Sequence, residues 1–225
     1  MRGGTLILIP ALNESAKIEQ VIRAAASFGD VLVVDDGSTD GTAVIAKATS
    51  AACISHSKPM GYDAALGAGF TWAMENGYKI LVTLDADGQL PAHRLQDFIE
   101  AIDKGADIVV GSRPSFPRLS EYLFAATCQM LSDVRDPFCG MKAYRLSYYG
   151  SDIAFDTYSS IGTDLLLRTI ISGGSVQNIE ISILPREGQS RIGSRIGAEK
   201  KILRATLIGT FRLLISAITK KKDPT

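Results

Sequence analysis

Cysteine is scarce in this chain and follows no recognisable spacing. The 225 residues include three cysteines, Cys53, Cys128 and Cys139, and no two of them form a CxxC pair. Structural zinc sites and disulfide frameworks need closely spaced cysteines or an even number of them. We therefore expect neither, and the low, odd count fits a reducing compartment on the cytosolic side.

Net charge and long hydrophobic runs are missing as well. Lys and Arg number 24, Asp and Glu number 24, and the formal net charge is zero, so no overall positive field favours nucleic acid and no such partner is expected. The apolar run at residues 6–9 is too short for a signal peptide and is cut by Pro10. No uninterrupted apolar run reaches the roughly 18 residues of a membrane span.

Short apolar runs alternating with helical patterns are what the chain does contain. Strands are predicted over 5–10, 30–36, 53–56, 78–85 and 106–113, and helices over 15–28, 40–52, 62–77 and 91–105. This alternation indicates an α/β fold with a mostly parallel sheet that carries helices on both faces. The rest is less regular: helices over 116–133, 161–174 and 197–222, a strand or hairpin over 137–145, and a strand over 175–184.

Four of the predicted strands end in polar residues. These ends read "PALNE" (10–14), "DDGS" (35–38), "DAD" (85–87) and "GSR" (111–113). The carboxyl ends of parallel strands lie at one edge of the sheet, and ligands bind in the crevice there. The sequence therefore predicts one ligand site built from several strand ends.

Asp85 and Asp87 are the candidate metal ligands at this edge. If the segment is extended, residues two apart project to the same side, so both carboxylates can face one point. Such oxygen ligands suit Mg²⁺ or Mn²⁺, and Gln89 offers a further carbonyl oxygen. The alternative is structural: Asp87 and Gly88 form a turn, and Asp85 caps it.

Asp36 is the candidate for recognising a nucleoside. An acidic residue at such a strand end can accept hydrogen bonds from a base or ribose. The sequence contains neither GxGxxG after the first strand nor GxxxxGK[ST]. A nucleotide diphosphate bound here would thus be neutralised by a metal ion and by Arg or Lys.

Six segments together resemble the family 2 glycosyltransferases, and among these the polyprenyl-phosphate (dolichol-phosphate) mannose synthases. They are "IPALNES", "VVDDGSTDGT", "LDADGQ", "VVGSR", "RDPFCGMKAYR" and "REGQSR", which occur in this order between about residues 5 and 195. The resemblance implies a nucleotide-diphospho-sugar transferase fold of the GT-A type. It also implies an inverting, metal-dependent transfer of a sugar, with GDP-mannose as donor and a polyprenyl phosphate as acceptor.

The resemblance also assigns roles residue by residue. The nucleotide pocket, base, ribose and diphosphate are assigned to Pro10, Asn13, Glu14, Val34, Asp36, Asp85, Ala86 and Asp87, and the metal to Asp85, Asp87 and Gln89. Arg113, Arg186 and Arg191 are assigned to donor and acceptor phosphates, while Arg135 has no assigned role. We expect a single domain over 1–225: a donor half to about 115, an acceptor half over about 116–195, and a C-terminal helix with a basic tail.

The acceptor decides whether a catalytic base is needed. A phosphate anion is already a nucleophile, whereas a hydroxyl needs a carboxylate base. Asp164 is the first candidate for that base and Asp136 the second, although Asp164 also suits the first turn of a helix for electrostatic reasons. Transfer of glucose, GlcNAc or another sugar to a saccharide hydroxyl therefore stays open, as does a non-catalytic relative that only binds nucleotide sugars.

The chain departs from the family pattern at several positions. Leu12 replaces an aromatic residue, and Lys142 stands where Arg is usual. The family loop N-x-G-K-G reads "PMGYD" here, at 59–63, without its Lys and second Gly, and "REGQSR" is one residue shorter than its counterpart.

The C-terminal segment 197–222 has the pattern of a basic amphipathic helix. Apolar residues recur at helical spacing, interrupted by Lys and Arg, and a Lys triplet closes the segment. Such a helix can lie in a membrane interface, which would make the protein peripheral on the cytoplasmic face, or it can pack on the sheet or on a second subunit.

Overall fold

The computed structural model describes residues 4–114, 119–150 and 160–184. Its centre is a seven-stranded sheet of order β3-β2-β1-β4-β6-β5-β7. The strands are β1 (Thr5–Ala11), β2 (Asp30–Asp35), β3 (Ala52–Ser55), β4 (Ile80–Thr83), β5 (Ile108–Ser112), β6 (Lys142–Arg145) and β7 (Val176–Glu180). The sheet includes strands from both predicted halves; whether the whole chain is a single domain stays a prediction.

The helices occur where the sequence predicts them, but most are shorter. They are α1 (Ile18–Ala25), α2 (Thr42–Lys47), α3 (Tyr62–Glu75), α4 (Leu95–Asp103), α5 (Leu119–Ser132), α6 (Leu146–Tyr149) and α7 (Ile161–Ile171), with a short 3-10 helix at Ala92–Arg94. Only α6, a single turn, was not predicted. The helix predicted over 197–222 lies outside the described residues.

Apolar residues on both faces of the sheet explain why the strands read as continuous hydrophobic runs. In β1, Ile7 and Ile9 belong to the core cluster that also contains residues of α1 and α4, whereas Leu6 and Leu8 belong to the cluster with residues of α3 and α7. A Cβ atom at Gly69 of α3 would lie 2.3 Å from Cδ1 of Leu8, so this glycine allows the helix to pack closely on the sheet. Burial on both faces is typical of a sheet covered by helices.

Strand β6 interrupts the parallel arrangement. It pairs antiparallel with β4 on one side and with β5 on the other. The sequence predicted a strand or hairpin over 137–145, but it did not predict that this strand lies between β4 and β5. Because β4 and β5 both run opposite to β6, they remain parallel to each other, and the carboxyl ends of all strands except β6 lie at one edge.

The described helices are too short or too polar to span a bilayer. All three cysteines are free thiols.

Candidate active site

The loops that follow β1 and β2 are joined by hydrogen bonds from backbone N–H groups to side-chain oxygens. Asn13, at a positive φ of 53°, donates its N–H to Oγ of Ser38 (2.7 Å) and accepts one from the N–H of Thr39 (2.8 Å). The N–H of Glu14 donates to Oγ1 of Thr42 (2.8 Å). Asn13 and Glu14 therefore lie at the predicted edge, in a loop whose backbone is held in place by the next one.

Three other predicted donor-binding residues lie in or beside the core. Pro10 and Val34 face each other as partners of β1 and β2. Val34 is 0% exposed and packs in the cluster below α3, and Ala86 is also buried. The side chains of these three residues are therefore buried beneath the polar strand ends and are not exposed at the sheet edge.

Asp36 holds a neighbouring loop. Its Oδ1 accepts the N–H of Met60 (2.8 Å) and lies 2.8 Å from Nδ1 of His56, and its Oδ2 accepts the N–H of Gly61 (2.7 Å). Burial would raise the pKa of Asp36, but these hydrogen bonds outweigh it and lower the pKa below its ordinary value. The carboxylate predicted to contact a ribose thus anchors residues 56–61 in this structure.

Asp35, which the sequence reasoning did not single out, has an unsatisfied oxygen. The residue is 2% exposed, and its Oδ2 accepts the N–H of Ser38 at 3.3 Å. Its Oδ1 is buried and has no hydrogen-bond partner among the residues that the structure describes. A buried acceptor without a donor is costly, so this oxygen is suited to accept a hydrogen bond from a ligand.

The pair Asp85 and Asp87 is brought together by a turn and not by an extended strand. Strand β4 ends at Thr83, and residues 86–88 form a turn in which Gly88 has a φ of 74° and Oδ1 of Asp87 accepts the N–H of Gln89 (3.0 Å). The prediction that the strand continues to Asp85 and that strand pleating aligns the pair was therefore wrong. The two carboxylates are nonetheless close enough for the charge of Asp87 to raise the pKa of Asp85.

The surroundings of Asp85 favour a cation. Burial and then the charge of Asp87 raise its pKa to about 6, against the opposing effects of Tyr62, Lys142 and Arg113. Oδ1 accepts the hydroxyl of Tyr62 (3.1 Å), while a Cβ atom at Gly140 would lie 2.2 Å from Oδ2. A divalent ion that prefers oxygen would stabilise the two neighbouring carboxylates.

The rest of a metal coordination shell is not supplied by a cluster of acidic or His side chains. Within residues 4–114, 119–150 and 160–184, no three His, Cys, Asp or Glu residues are grouped as metal ligands. The side chain of Gln89 donates to the carbonyl of Leu184 (3.4 Å). Asp85 and Asp87 suit a cation that also takes oxygen atoms from water or from substrate phosphates.

Arg113 is held by two buried carboxylates. Its Nε and Nη2 donate to the two oxygens of Asp136 (2.6 and 2.9 Å), and Nη2 also donates to Glu121 (3.0 Å). Asp136 is 0% exposed and also accepts the N–H of Phe138 (3.3 Å). Asp136, the second candidate base, thus serves to orient Arg113.

Asp164, the first candidate base, is also paired. It lies in the first turn of α7, as predicted, and is 2% exposed. Its Oδ2 lies 2.7 Å from Nε of Arg168. Arg135 pairs with Glu180 at the surface (2.7 Å). Arg186 and Arg191 lie outside the described residues.

Lys142, at the position where the resemblance leads us to expect Arg, is buried. Its Nζ donates to the carbonyl of Cys139, and burial lowers the pKa of this amine. The positive charge acts on Asp85 from inside the protein.

The fold and the motifs at its edge define a GT-A glycosyltransferase, and comparison with known proteins confirms this class. The model of the family "Glycosyl transferase family 2" matches residues 6–132. The chain belongs to this family.

The chain is also similar to several named enzymes over most of its length. The chain is 31% identical over 220 residues to polyprenol monophosphomannose synthase of Mycolicibacterium smegmatis, covering 85% of this chain and 82% of that protein. It is 30% identical over 219 residues to undecaprenyl-phosphate mannosyltransferase of Micrococcus luteus, covering 86% and 89%. It is 28% identical over 226 residues to dolichyl-phosphate hexose transferase of Haloferax volcanii, covering 92% and 96%.

A solved structure confirms the fold. Glucosyl-3-phosphoglycerate synthase from Mycobacterium tuberculosis, crystallised with Mn²⁺, UDP and glucosyl-3-phosphoglycerate, superimposes with a TM-score of 0.74. The match covers 93% of this chain and 80% of the other, at 22% sequence identity.

Proposed function

We propose that this chain is an inverting, metal-dependent glycosyltransferase that moves mannose from GDP-mannose to a polyprenyl phosphate. The relatives described above are named for transfer to polyprenol, undecaprenyl phosphate or dolichyl phosphate, and two of them for mannose. All three names therefore support a polyprenyl-type acceptor, whereas only two of them support mannose as the sugar.

The observation that carries the proposal is that both candidate bases are engaged in ion pairs with arginines. Asp136 makes a two-point ion pair with Arg113, and Asp164 pairs with Arg168. Both side chains are also buried, at 0% and 2% exposure, so neither is presented to the hydroxyl of an incoming saccharide. An acceptor that is already an anion needs no such base, so a phosphate acceptor fits this site better than a saccharide hydroxyl.

The donor would bind across the ends of β1, β2 and β4. The buried Oδ1 of Asp35 can accept a hydrogen bond from the nucleoside, and Asp36 fixes the loop beside it. Asp85 and Asp87 would hold Mg²⁺ or Mn²⁺, with Gln89 as a further ligand, and the bound ion would stabilise charge on the diphosphate. Arg186 and Arg191 remain proposed phosphate contacts.

In the transfer itself, an oxygen of the acceptor phosphate forms a bond to the anomeric carbon of the sugar. The bond from this carbon to the diphosphate oxygen breaks, the configuration inverts, and the nucleoside diphosphate leaves with the electron pair. Arg113 is held by Asp136 and Glu121, and its contact with a donor or acceptor phosphate stays a prediction.

The direct test is an assay with purified protein, polyprenyl phosphate in detergent and a panel of nucleotide sugars labelled in the sugar. We expect label in the organic extract with GDP-mannose and Mn²⁺ or Mg²⁺, and none after chelation with EDTA. Asp87→Asn should lose the activity, while Asp103→Asn, which changes an exposed residue at the end of α4, should keep it. Transfer from another nucleotide sugar only would refute the mannose assignment and keep the acceptor class.

Asp164→Asn separates the two acceptor classes. If a saccharide hydroxyl is the true acceptor, this variant should lose turnover without losing donor binding, because the base is gone. Nucleotide binding without metal-dependent transfer to any acceptor would instead indicate a non-catalytic relative.

The location of the protein follows from the acceptor in this proposal. A polyprenyl phosphate lies in a membrane, so the enzyme would act at a membrane surface, with the amphipathic segment 197–222 as the contact. We propose the cytoplasmic face because the low, odd cysteine count fits a reducing compartment. Association into a homo-oligomer through that segment is the competing hypothesis.

A further inference from the structure

Tyr62 occupies an unusual place between the loop and the metal site. It is the first residue of α3 and stands where the family loop has Lys. Its hydroxyl donates to Oδ1 of Asp85 at 3.1 Å, and 44% of the residue is exposed. A tyrosine so placed is not an ordinary core residue, and its polar end meets a residue assigned to the metal.

The backbone that carries Tyr62 is held by β2. Asp36, just after that strand, accepts the N–H groups of Met60 and Gly61, which immediately precede Tyr62. Gly37, with a φ of 75°, lets this loop pass closely: a Cβ atom there would lie 2.5 Å from the carbonyl carbon of Lys58. The path of the chain into Tyr62 is thus set by the "DDG" sequence.

The next residue is held from the acceptor side. Oδ1 of Asp63 accepts the N–H of Ile161 (3.0 Å), the first residue of α7. The first turn of α3 is therefore fixed both to the end of β2 and to the start of α7. Asp63 replaces the second Gly of the family loop, and a Gly has no side chain that could accept this bond.

The Asp85 carboxylate has little freedom to reorient. Oδ2 lies so close to the backbone of Gly140 that no side chain fits there, and Oδ1 receives the Tyr62 hydroxyl. Hydrogen bonds to a ligating carboxylate orient it, and their loss typically weakens metal binding about 10–100-fold. A carboxylate oxygen has a second lone pair, so accepting the phenol and ligating a cation are compatible.

We propose that Tyr62 is a positioning residue that orients Asp85 for the divalent cation. It does so in place of the Lys that the family pattern has in this loop. This inference rests on the proposed metal site at Asp85 and Asp87.

The test is binding of Mn²⁺ alone to the purified protein, followed by the paramagnetic resonance signal of the free ion. Tyr62→Phe keeps the ring and removes the donor, and we expect its Mn²⁺ affinity to fall about tenfold, with an unchanged Tm. Tyr148→Phe is the matched control: it removes a phenol hydroxyl near Gly174, beyond the far end of α7, and should leave the affinity unchanged. Asp85→Asn should lose Mn²⁺ binding.

The outcomes distinguish failure of the inference from failure of the site. If wild type binds Mn²⁺ and Tyr62→Phe binds it equally or more tightly, the positioning role is refuted and the metal site stands. If wild type binds no Mn²⁺ beyond a protein-free blank, either alone or with GDP present, or if Asp85→Asn binds it as wild type does, the site is refuted and the inference with it. Should Tyr62→Phe have a lower Tm, titration well below that Tm, with the folded fraction measured by near-UV circular dichroism, keeps the comparison valid.

Discussion

The two sides of the sheet edge are held together by different interactions. On the donor side, the loops after β1 and β2 are joined by hydrogen bonds between backbone N–H groups and the side chains of Asn13, Ser38 and Thr42. Around Arg113, at the predicted boundary between the donor and acceptor halves and here called the acceptor side, the end of β5, α5 and the segment before β6 are joined by the ion pairs of Arg113 with Asp136 and Glu121.

This difference has consequences for how much stability a single substitution removes. Losing one of several hydrogen bonds in a loop costs about 0.5–1.5 kcal/mol. Removing one partner of a buried ion pair leaves an uncompensated charge and costs about 3–5 kcal/mol. The donor side should therefore tolerate single substitutions better than the acceptor side does.

The largest expected effect is that of Asp136→Ala. The substitution leaves Arg113, which is 14% exposed, with Glu121 as its remaining partner, so we expect the free energy of unfolding to fall by about 3 kcal/mol, the lower end of the range for a broken buried pair. Urea denaturation measures this. The control is Arg135→Ala, which breaks an exposed pair with Glu180 and should cost no more than about 1 kcal/mol. Equal losses in both variants would show that the acceptor side does not depend on the buried pair.

Gly37→Ala should have the next largest effect. It tests a position on the donor side where the backbone conformation, and not a charge, restricts which residue fits. The left-handed backbone conformation costs an alanine about 1–2 kcal/mol. At Gly37 the added Cβ would also lie 2.5 Å from the backbone of Lys58, so we expect a larger loss.

Gly41→Ala is the matched control for this prediction. Gly41 also has a positive φ, of 91°, but a Cβ there would have no neighbour within 4 Å. Thermal or urea unfolding of the two variants separates conformational strain from crowding. A loss at Gly41 as large as that at Gly37 would rule out the close passage of the 56–61 loop as the cause.

The smallest effect concerns pH, and it tests the carboxylate that joins the donor-side loops. Because the pKa of Asp36 is lower in the folded protein than its ordinary value of 3.8, its ionised form stabilises the fold above that pH. This contribution is lost as the pH falls below 3.8 towards the folded pKa. Asp36→Asn should be less stable near neutral pH and should show a shallower loss of stability in acid. Parallel pH profiles for the variant and wild type would contradict the role of Asp36 as a charged anchor.

Several parts of this structure could be predicted from local sequence. The alternation of apolar runs and helical patterns correctly predicted β1 to β5 and α1 to α4, because burial on both faces leaves a continuous hydrophobic run in each strand. The polar strand ends and their motifs predicted a candidate site at one edge of the sheet, and the structure brings those ends to one edge; that a ligand binds there stays a prediction. The family assignment, which rests on those motifs, is confirmed.

Other features could not be predicted, for identifiable reasons. The segment around Asp85 was expected to be extended, but Asp87 and Gly88 form a turn. The same residue sequence allows both conformations, so local sequence could not decide between them. The antiparallel position of β6 depends on pairing with β4 and β5, which are distant in sequence. The partners of Asp136 and Asp164 were also unknown, so both were reasonable candidate bases.

The sequence by itself determined the class of fold and the family, since these depend on periodicity and on motifs within short segments, and it proposed the edge of the sheet for the candidate site. Only the tertiary structure decided what each acidic residue does. Asp36 anchors a loop, Asp136 orients Arg113, and Asp85 meets Tyr62, 23 residues away in the chain. The role of a carboxylate depends on which donors and charges surround it, and here the folded chain brings those partners from elements far apart in sequence.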